Sequence, residues 1–70
     1  MPLNIDSRAR VAIYVIGRHD EGAILGRLTR VPVAGETVIV NGQNMTVAEV
    51  FHYLDPVGGE PDAVLRVHGL

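Results

Sequence analysis

Histidine is the residue type in this chain best suited to chemistry, because it can bind metals and carry protons near neutral pH. The chain has three histidines, His19, His52 and His68, and it has no cysteine. A zinc site needs three or four ligands at about 2 Å, yet no H-x-H or H-x-x-x-H spacing places two histidines on one element. The pattern therefore predicts separate surface histidines, with no bound metal and no other cofactor.

Nucleophilic and acid–base catalysis are also disfavoured. Ser7 is the single serine, and a hydroxyl near a chain end lacks the oriented base that a catalytic triad requires. The neighbouring carboxylates Asp20-Glu21 and Glu60 with Asp62 lie in turn-like segments, so we interpret them as solvated turn charges and not as general acids or bases. Gly58-Gly59 precedes no helix and matches no phosphate-binding loop. We expect a protein that is not an enzyme.

Arginine offers a third chemistry, since all six positively charged residues are arginines. If the first, second and last predicted strands are neighbours, four of them share an outward face with a tyrosine and a histidine. Small barrels bind single-stranded nucleic acid with this mixture of positive charge and stacking surface. The candidate residues of this arginine face are Arg8, Arg10, Tyr14, Arg27, Arg66 and His68.

The overall charge opposes a nucleic-acid partner. The chain has a net charge of −2 and a pI of about 5.8, so it lacks the positive field that concentrates proteins on nucleic acids or anionic membranes. It also has only three aromatic residues, Tyr 2 and Phe 1. We therefore interpret the arginine face first as a salt-bridged surface that discourages edge pairing, with nucleic-acid binding as the alternative.

The elements that must position these residues are strands. Apolar and β-branched residues alternate with period two along several segments, which turn-forming residues separate. This pattern predicts about five strands and no helix. The strands run from Arg8 to Ile16, from Ala23 to Thr29 with a bulge or close approach at Gly26, from Thr37 to Val40, from Met45 past Val50, and from Ala63 to His68.

Asn41-Gly42 is the strongest local signal in the chain. Both residues tolerate positive φ, as a type I′ hairpin turn requires. Whether the loop has two or four residues, the same side chains of the two strands point to the same face of the sheet. Four apolar side chains that flank the loop therefore share the core face. These are Val38, Val40, Met45 and Val47. A β-bulge at Ala48-Glu49 would keep Val50 inward and bend the strand, as a small barrel requires.

Length limits the chain to one domain, residues 1–70. Such a chain buries only about 60% of the surface that its unfolded form exposes, and without cysteine it has no disulfide to reinforce it. No secretory pattern occurs at the start, and the longest apolar run, Val11 to Ile16, is far below the ~20 residues of a membrane-spanning helix. We expect a cytoplasmic protein with no membrane partner.

The segment from Pro32 to His52 resembles small bacterial and phage-borne SH3-like barrels. Those proteins have a P-x-x-G-E turn followed by V-x-V-x-G-x-x-x-x-V-x-x-V-x-H. The matching residues are Pro32, Gly35, Glu36, Val38, Val40, Gly42, Val47, Val50 and His52. Met45 departs from the pattern, where such sequences often have an aromatic residue. The resemblance implies an SH3-like barrel and transfers no catalytic residue. The expected fold is all-β, a five-stranded barrel of strongly bent antiparallel strands.

Apolar residues also occur on the faces that should point away from the core. They are Ile16, Val31, Val33, Ile39, Val57 and Val64. A contiguous exposed apolar area on a small protein typically marks a contact surface. We therefore predict a homodimer or higher assembly acting as an interaction or accessory module, with another protein as a further possible partner. An enzyme whose site forms only between copies, around Tyr14 or His52, remains a third alternative.

Overall fold

The computed structural model describes residues 8–18 and 21–69. Within these ranges it contains five strands and no α-helix, and no helix there is long and apolar enough to cross a membrane. The strands are β1 (Ala9–Val15), β2 (Ile24–Leu28), β3 (Thr37–Val40), β4 (Gln43–His52) and β5 (Ala63–Gly69). Ser7 and His19, both considered in the sequence, lie outside the described residues.

The strands form one sheet in the order β2-β1-β5-β4-β3, strongly curled into a half-barrel. The all-β, five-stranded, barrel-like fold expected from the sequence is thus confirmed. One strand pair differs from the expected antiparallel arrangement, because β1 and β5 are parallel. Parallel neighbours need a long crossover connection, and here β2, β3 and β4 together provide it.

The core covers the concave side of this curl, which we call the inner face. Val11, Ile13 and Val15 of β1 are at most 8% exposed. Ala63, Leu65 and Val67 of β5 are fully buried, at 0% exposure. These residues alternate with period two, as strands with one core-facing side require. The central position of β1 and β5 in the sheet explains why they contribute the most deeply buried side chains.

The β3–β4 hairpin follows the sequence prediction. Val40 lies opposite Gln43, so Asn41 and Gly42 form a two-residue loop, with φ of 50° and 80°. Positive φ at both positions is typical of a type I′ turn. The four predicted core residues Val38, Val40, Met45 and Val47 are 8%, 6%, 3% and 1% exposed. That prediction is confirmed.

The predicted bulge is also confirmed. The β4–β5 register shifts between Val47 and Glu49, so Ala48 is the extra residue. Beyond the shift, Val50 lies opposite Leu65 and packs against the core. A single inserted residue therefore keeps β4 in contact with the core over its whole length.

The second strand differs from the sequence prediction at Gly26. The β1–β2 register runs without a shift from Ala9 opposite Leu28 to Ile13 opposite Ile24. A Cβ atom at Gly26 would meet no atom within 4 Å. The predicted bulge or close backbone approach at Gly26 is therefore wrong, because β2 is an edge strand with open space beside it.

Candidate functional site

The convex side of the sheet, which we call the outer face, is the candidate functional site. It carries the even-numbered residues of β1 and β5 and the odd-numbered residues of β2, because their inward neighbours fill the core. In β4 the outward positions change at the bulge. Thr46 points outward before it, and Glu49 and Phe51 point outward after it.

A row of four apolar side chains crosses the middle of this face. Ala12 lies opposite Leu25 in β2 and opposite Val64 in β5. Val64 in turn lies opposite Phe51 in β4. We call these four residues the central row. Leu25 is 77% exposed and Phe51 is 48% exposed, whereas Ala12 is only 5% exposed. The row therefore protrudes at Leu25 and is low at Ala12.

A cavity of about 340 Å³ opens on the same face, where the end of β1 lies beside β5 and β4. Tyr14 and Phe51 provide aromatic walls, and Tyr14 is 46% exposed. The remaining side chains that line it are Val15, Ile16, Arg18, Val64 and Arg66. A volume above 300 Å³ with aromatic and aliphatic walls is large enough to receive a ligand or a side chain of another protein.

The arginine face predicted from sequence maps onto the two ends of the outer face. Arg10 lies directly opposite Arg27, on one side of the central row. Tyr14 lies directly opposite Arg66 on the other side, and His68 follows in β5, opposite Thr46. Arg8 lies one residue before β1, outside the paired register. The structure thus brings five of these residues onto one face but divides them into two groups.

The charges on this face are balanced locally. The Arg66 guanidinium contacts the Glu49 carboxylate at 2.5 Å. At the rim of the cavity, Arg18 and Glu21 are 3.9 Å apart. Exposed pairs of this kind contribute about 0–1 kcal/mol each, so they are easily exchanged for other partners. Near Arg10, the Asp62 carboxylate accepts a hydrogen bond from the Arg10 backbone N–H at 2.8 Å.

Comparison with known proteins adds no relative. No protein-family model, curated protein or solved structure matches the chain. We therefore infer function from the geometry of the outer face.

The remaining histidines do not converge. His52 lies opposite Ala63 and His68 opposite Thr46, near opposite ends of the β4–β5 pair. In residues 8–18 and 21–69, no group of three or more histidine, cysteine or acidic residues is placed to hold a metal ion. The described residues thus offer no assembled metal site.

Two loops share a turn built around a glutamate, which the sequence interpretation did not identify. The Glu36 carboxylate accepts the Val33 backbone N–H at 2.7 Å, and the Glu60 carboxylate accepts the Val57 N–H at 2.9 Å. Both segments read Pro-Val-x-Gly-Glu, at residues 32–36 and 56–60. The repeated five-residue pattern was the signal that could have revealed them.

Glu36 differs from Glu60 in having an arginine partner. Both carboxylate oxygens of Glu36 accept hydrogen bonds from Arg30, at 2.8 and 2.5 Å. The hydrogen bonds from Arg30 and from the Val33 N–H lower the pKa of Glu36 from 4.5 to about 2. The same pairing raises the pKa of Arg30. This bidentate pair joins the two ends of the connection between β2 and β3.

Sequence reasoning missed the residues that make the outer face continuous. Leu25 and Phe51 were not among its candidates, because neither belongs to an obvious motif. Phe51 points outward only because the bulge shifts the parity of β4. Among the apolar second-face candidates, Val31 instead packs against the core, while Ile39, Val33 and Val57 are 74%, 62% and 69% exposed.

Proposed function

We propose that this protein is a non-enzymatic interaction module that associates with a second copy of itself through the outer face of its sheet. The observation that carries this proposal is the central row, an unbroken apolar band across four strands. A sheet that is apolar on both faces needs a second layer on each. The curl covers the inner face, and a second copy would cover the outer one.

The exposed area is of the size that a dimer needs. Leu25, Phe51, Tyr14 and Ile16 are 77%, 48%, 46% and 41% exposed. With about 200 Å² for a whole large side chain, these fractions amount to about 400 Å² of apolar area. Two copies would bury about 800 Å², and an interface that is about 65% apolar would then reach about 1,200 Å². That is the lower limit for a stable specific interface.

Analytical ultracentrifugation tests the proposal. We expect the wild-type chain to sediment as a concentration-dependent dimer, because the central row is buried between copies. Leu25→Asp should give a monomer, since a carboxylate in the interface cannot be desolvated without a partner. Leu54→Asp is the matched control, because Leu54 is 92% exposed in the loop after β4 and should leave the dimer intact. A wild-type monomer at high micromolar concentration would contradict the proposal.

The SH3-like description and the bacterial setting belong to the same proposal. They rest on the resemblance carried by residues 32–52, in which turn glycines and inward valines recur. An accessory role belongs to the same proposal, because a contiguous exposed apolar area on a small protein typically marks a contact surface. Identifying the protein that co-purifies with the chain from a bacterial lysate would test the setting separately from dimer formation.

Single-stranded nucleic acid is the second candidate. The outer face combines Arg10, Arg27 and Arg66 with Tyr14 and Phe51, and such faces stack bases and contact phosphates. It ranks second because the net charge is −2 and Arg66 already pairs with Glu49. Fluorescence anisotropy with a labelled oligothymidylate tests it. Binding that weakens steeply with salt, and further on Arg10→Ala, would support it; no binding at low salt would remove it.

A further inference from the structure

We propose that the gap between the two edge strands is a docking groove for an extended segment of a partner protein, which adds a strand between β2 and β3. We call this gap the seam. Its walls are Ile24–Leu28 and Thr37–Val40, the first and last strands of the sheet order. The segment is apolar at alternate positions and places one apolar side chain over Gly26. This site goes beyond the proposed self-association, which uses the outer face.

Two strand edges without a neighbouring strand bound the seam. Within the described residues, β2 pairs only with β1, and β3 pairs only with β4. The Cα atoms of β2 and β3 are more than 8 Å apart at nearly all positions, whereas paired strands lie about 4.8 Å apart. An inserted strand needs two such spacings, about 10 Å. Each edge therefore presents backbone groups to a space that one further strand can fill.

Three hollows follow one another along the seam, and residues from both sides line each of them. The middle hollow has a volume of about 180 Å³ and lies between Ile24 and Leu28 of β2 and Val40 of β3, with Val11 and Ile13 also lining it. It shares Ile24 and Val40 with a hollow of about 260 Å³ at the hairpin end. It shares Leu28 with a hollow of about 180 Å³ at the other end. The seam is therefore a continuous groove along the length of β2.

Gly26 creates room in the middle hollow. It lies opposite the buried Val11, which places it at a core-facing position of β2, and it lines the hollow. A Cβ atom at Gly26 would meet no atom within 4 Å. Glycine in a strand can mark a place where a ligand or another backbone approaches closely. At about 180 Å³, the hollow is larger than the ~150 Å³ apolar cavity that binds benzene, so it can hold an aliphatic side chain.

The chemistry of the walls identifies the occupant. The partial charges of two rows of backbone N–H and C=O groups are complemented by an extended backbone, and strand addition gains its affinity from such main-chain hydrogen bonds. The apolar lining between the rows requires an apolar side chain at every second position, since successive side chains of a strand point to opposite faces. A strand already paired within the sheet of a second copy has at most one open edge, so it cannot pair with β2 and β3 together. The occupant is therefore a segment that belongs to no sheet before it binds.

Selection from a peptide library tests the proposal. Random short peptides displayed on phage are selected on the immobilised wild-type chain, and enriched peptides are synthesised. We expect sequences that are apolar at every second position. Gly26→Val should raise their dissociation constant about tenfold or more, because the added side chain fills the hollow in place of a peptide side chain. Gly59→Val is the matched control, since a Cβ at this loop glycine also meets no atom, and it should bind as wild type does.

N-methylated peptides test the same groove without altering the protein. In a strand, the N–H groups of successive residues point alternately to the two neighbouring strands. Because the proposed segment is paired on both sides, N-methylation of any one of its interior residues should weaken binding. Weakening at alternate residues only would mean that the peptide pairs with a single edge, and no weakening at any residue would mean that it adds no strand. Either result contradicts insertion into the seam.

The outcomes separate this inference from self-association through the outer face. Gly26→Val should still sediment as a dimer, whereas Leu25→Asp, on the outer face of the same strand, should bind the peptides as a monomer. Peptide binding by a wild-type monomer would support the seam and contradict self-association. A selection that enriches no peptide, or peptides whose binding Gly26→Val leaves unchanged, overturns the inference and leaves the dimer standing. A Gly26→Val monomer also overturns it, because a second copy would then occupy the seam.

Discussion

Replacing the same residue type on the two faces of the sheet gives the sharpest test of the core. Leu65 lies in the central strand β5 at 0% exposure, and Leu25 lies in the edge strand β2 at 77% exposure. Leu65→Ala and Leu25→Ala remove the same atoms. Their effects on the folding of a single copy should therefore differ only because the surroundings differ.

The expected magnitudes are far apart. A fully buried Leu→Ala change costs about 2–5 kcal/mol, through lost transfer free energy and the cavity left behind. The free energy of unfolding of a 70-residue chain is about 3.5–10 kcal/mol at 0.05–0.15 kcal/mol per residue. Leu65→Ala thus removes about a fifth of the stability or more. Leu25→Ala should change the stability of one copy by no more than about 0.5 kcal/mol.

Urea denaturation followed by far-ultraviolet circular dichroism measures both effects. The measurement is made at two protein concentrations, because dimer dissociation makes the midpoint depend on concentration. At the lower concentration, the Leu65→Ala midpoint should fall sharply and the Leu25→Ala midpoint should match wild type. At the higher concentration, wild type should gain stability relative to Leu25→Ala, whose dimer is weaker. Equal losses for the two variants at low concentration would refute the assignment of the inner face as the core.

Four other substitutions and one deletion test local features. Gly42→Ala should lower the free energy of unfolding by about 1–2 kcal/mol, because Gly42 has φ of 80°, which alanine adopts only with strain. Gly26→Ala should be neutral or stabilising by up to about 1 kcal/mol, because an added Cβ meets no atom there. Thermal melts measure both. Glu36→Gln should lower the melting midpoint more than Glu60→Gln at pH 6. That difference should shrink as pH falls from 4.5 through about 2, because the stability from a lowered pKa is lost on protonation; a pH-independent difference would contradict it. Deleting Ala48 should remove the β4 bulge and leave Val50 opposite Leu65, so the denaturation midpoint should fall only because β4 loses the bend that the bulge gives it; an unchanged midpoint would show that the bend is dispensable.

Much of the fold could be predicted from local sequence, because its strongest signals are local. Asn41-Gly42 indicates the hairpin through positive φ alone, and the alternation in β5 indicates buried Ala63, Leu65 and Val67. The bulge was predictable because the period-two pattern breaks after Val47. Each signal depends on residues that are close in sequence, and each requires no knowledge of which strands are neighbours.

The pairing of distant strands could not be predicted in this way. Nothing in the local pattern distinguishes a parallel β1–β5 pair from an antiparallel one, since both orientations satisfy the alternation of β1 and β5. The central row depends on that pairing, because it brings Ala12 beside Val64. At Gly26 the sequence predicted a feature that the structure lacks. Glycine in a strand often marks a bulge, but Gly26 occupies an edge strand with a regular register and open space beside it.

The bulge at Ala48 connects the core with the candidate interface. In a regular β4, successive side chains would keep the parity of Met45 and Val47, so Phe51 would point inward with them. The extra residue reverses this parity, so that Val50 joins the core while Phe51 lies opposite Val64 on the outer face. The same insertion that bends the half-barrel closed over its core thus completes the apolar row on its outside. A variant whose β4 pairs Ala48 in a regular ladder should turn Val50 outward and Phe51 inward, and should lose both the folding stability and the dimer, whereas Leu25→Asp should lose the dimer alone.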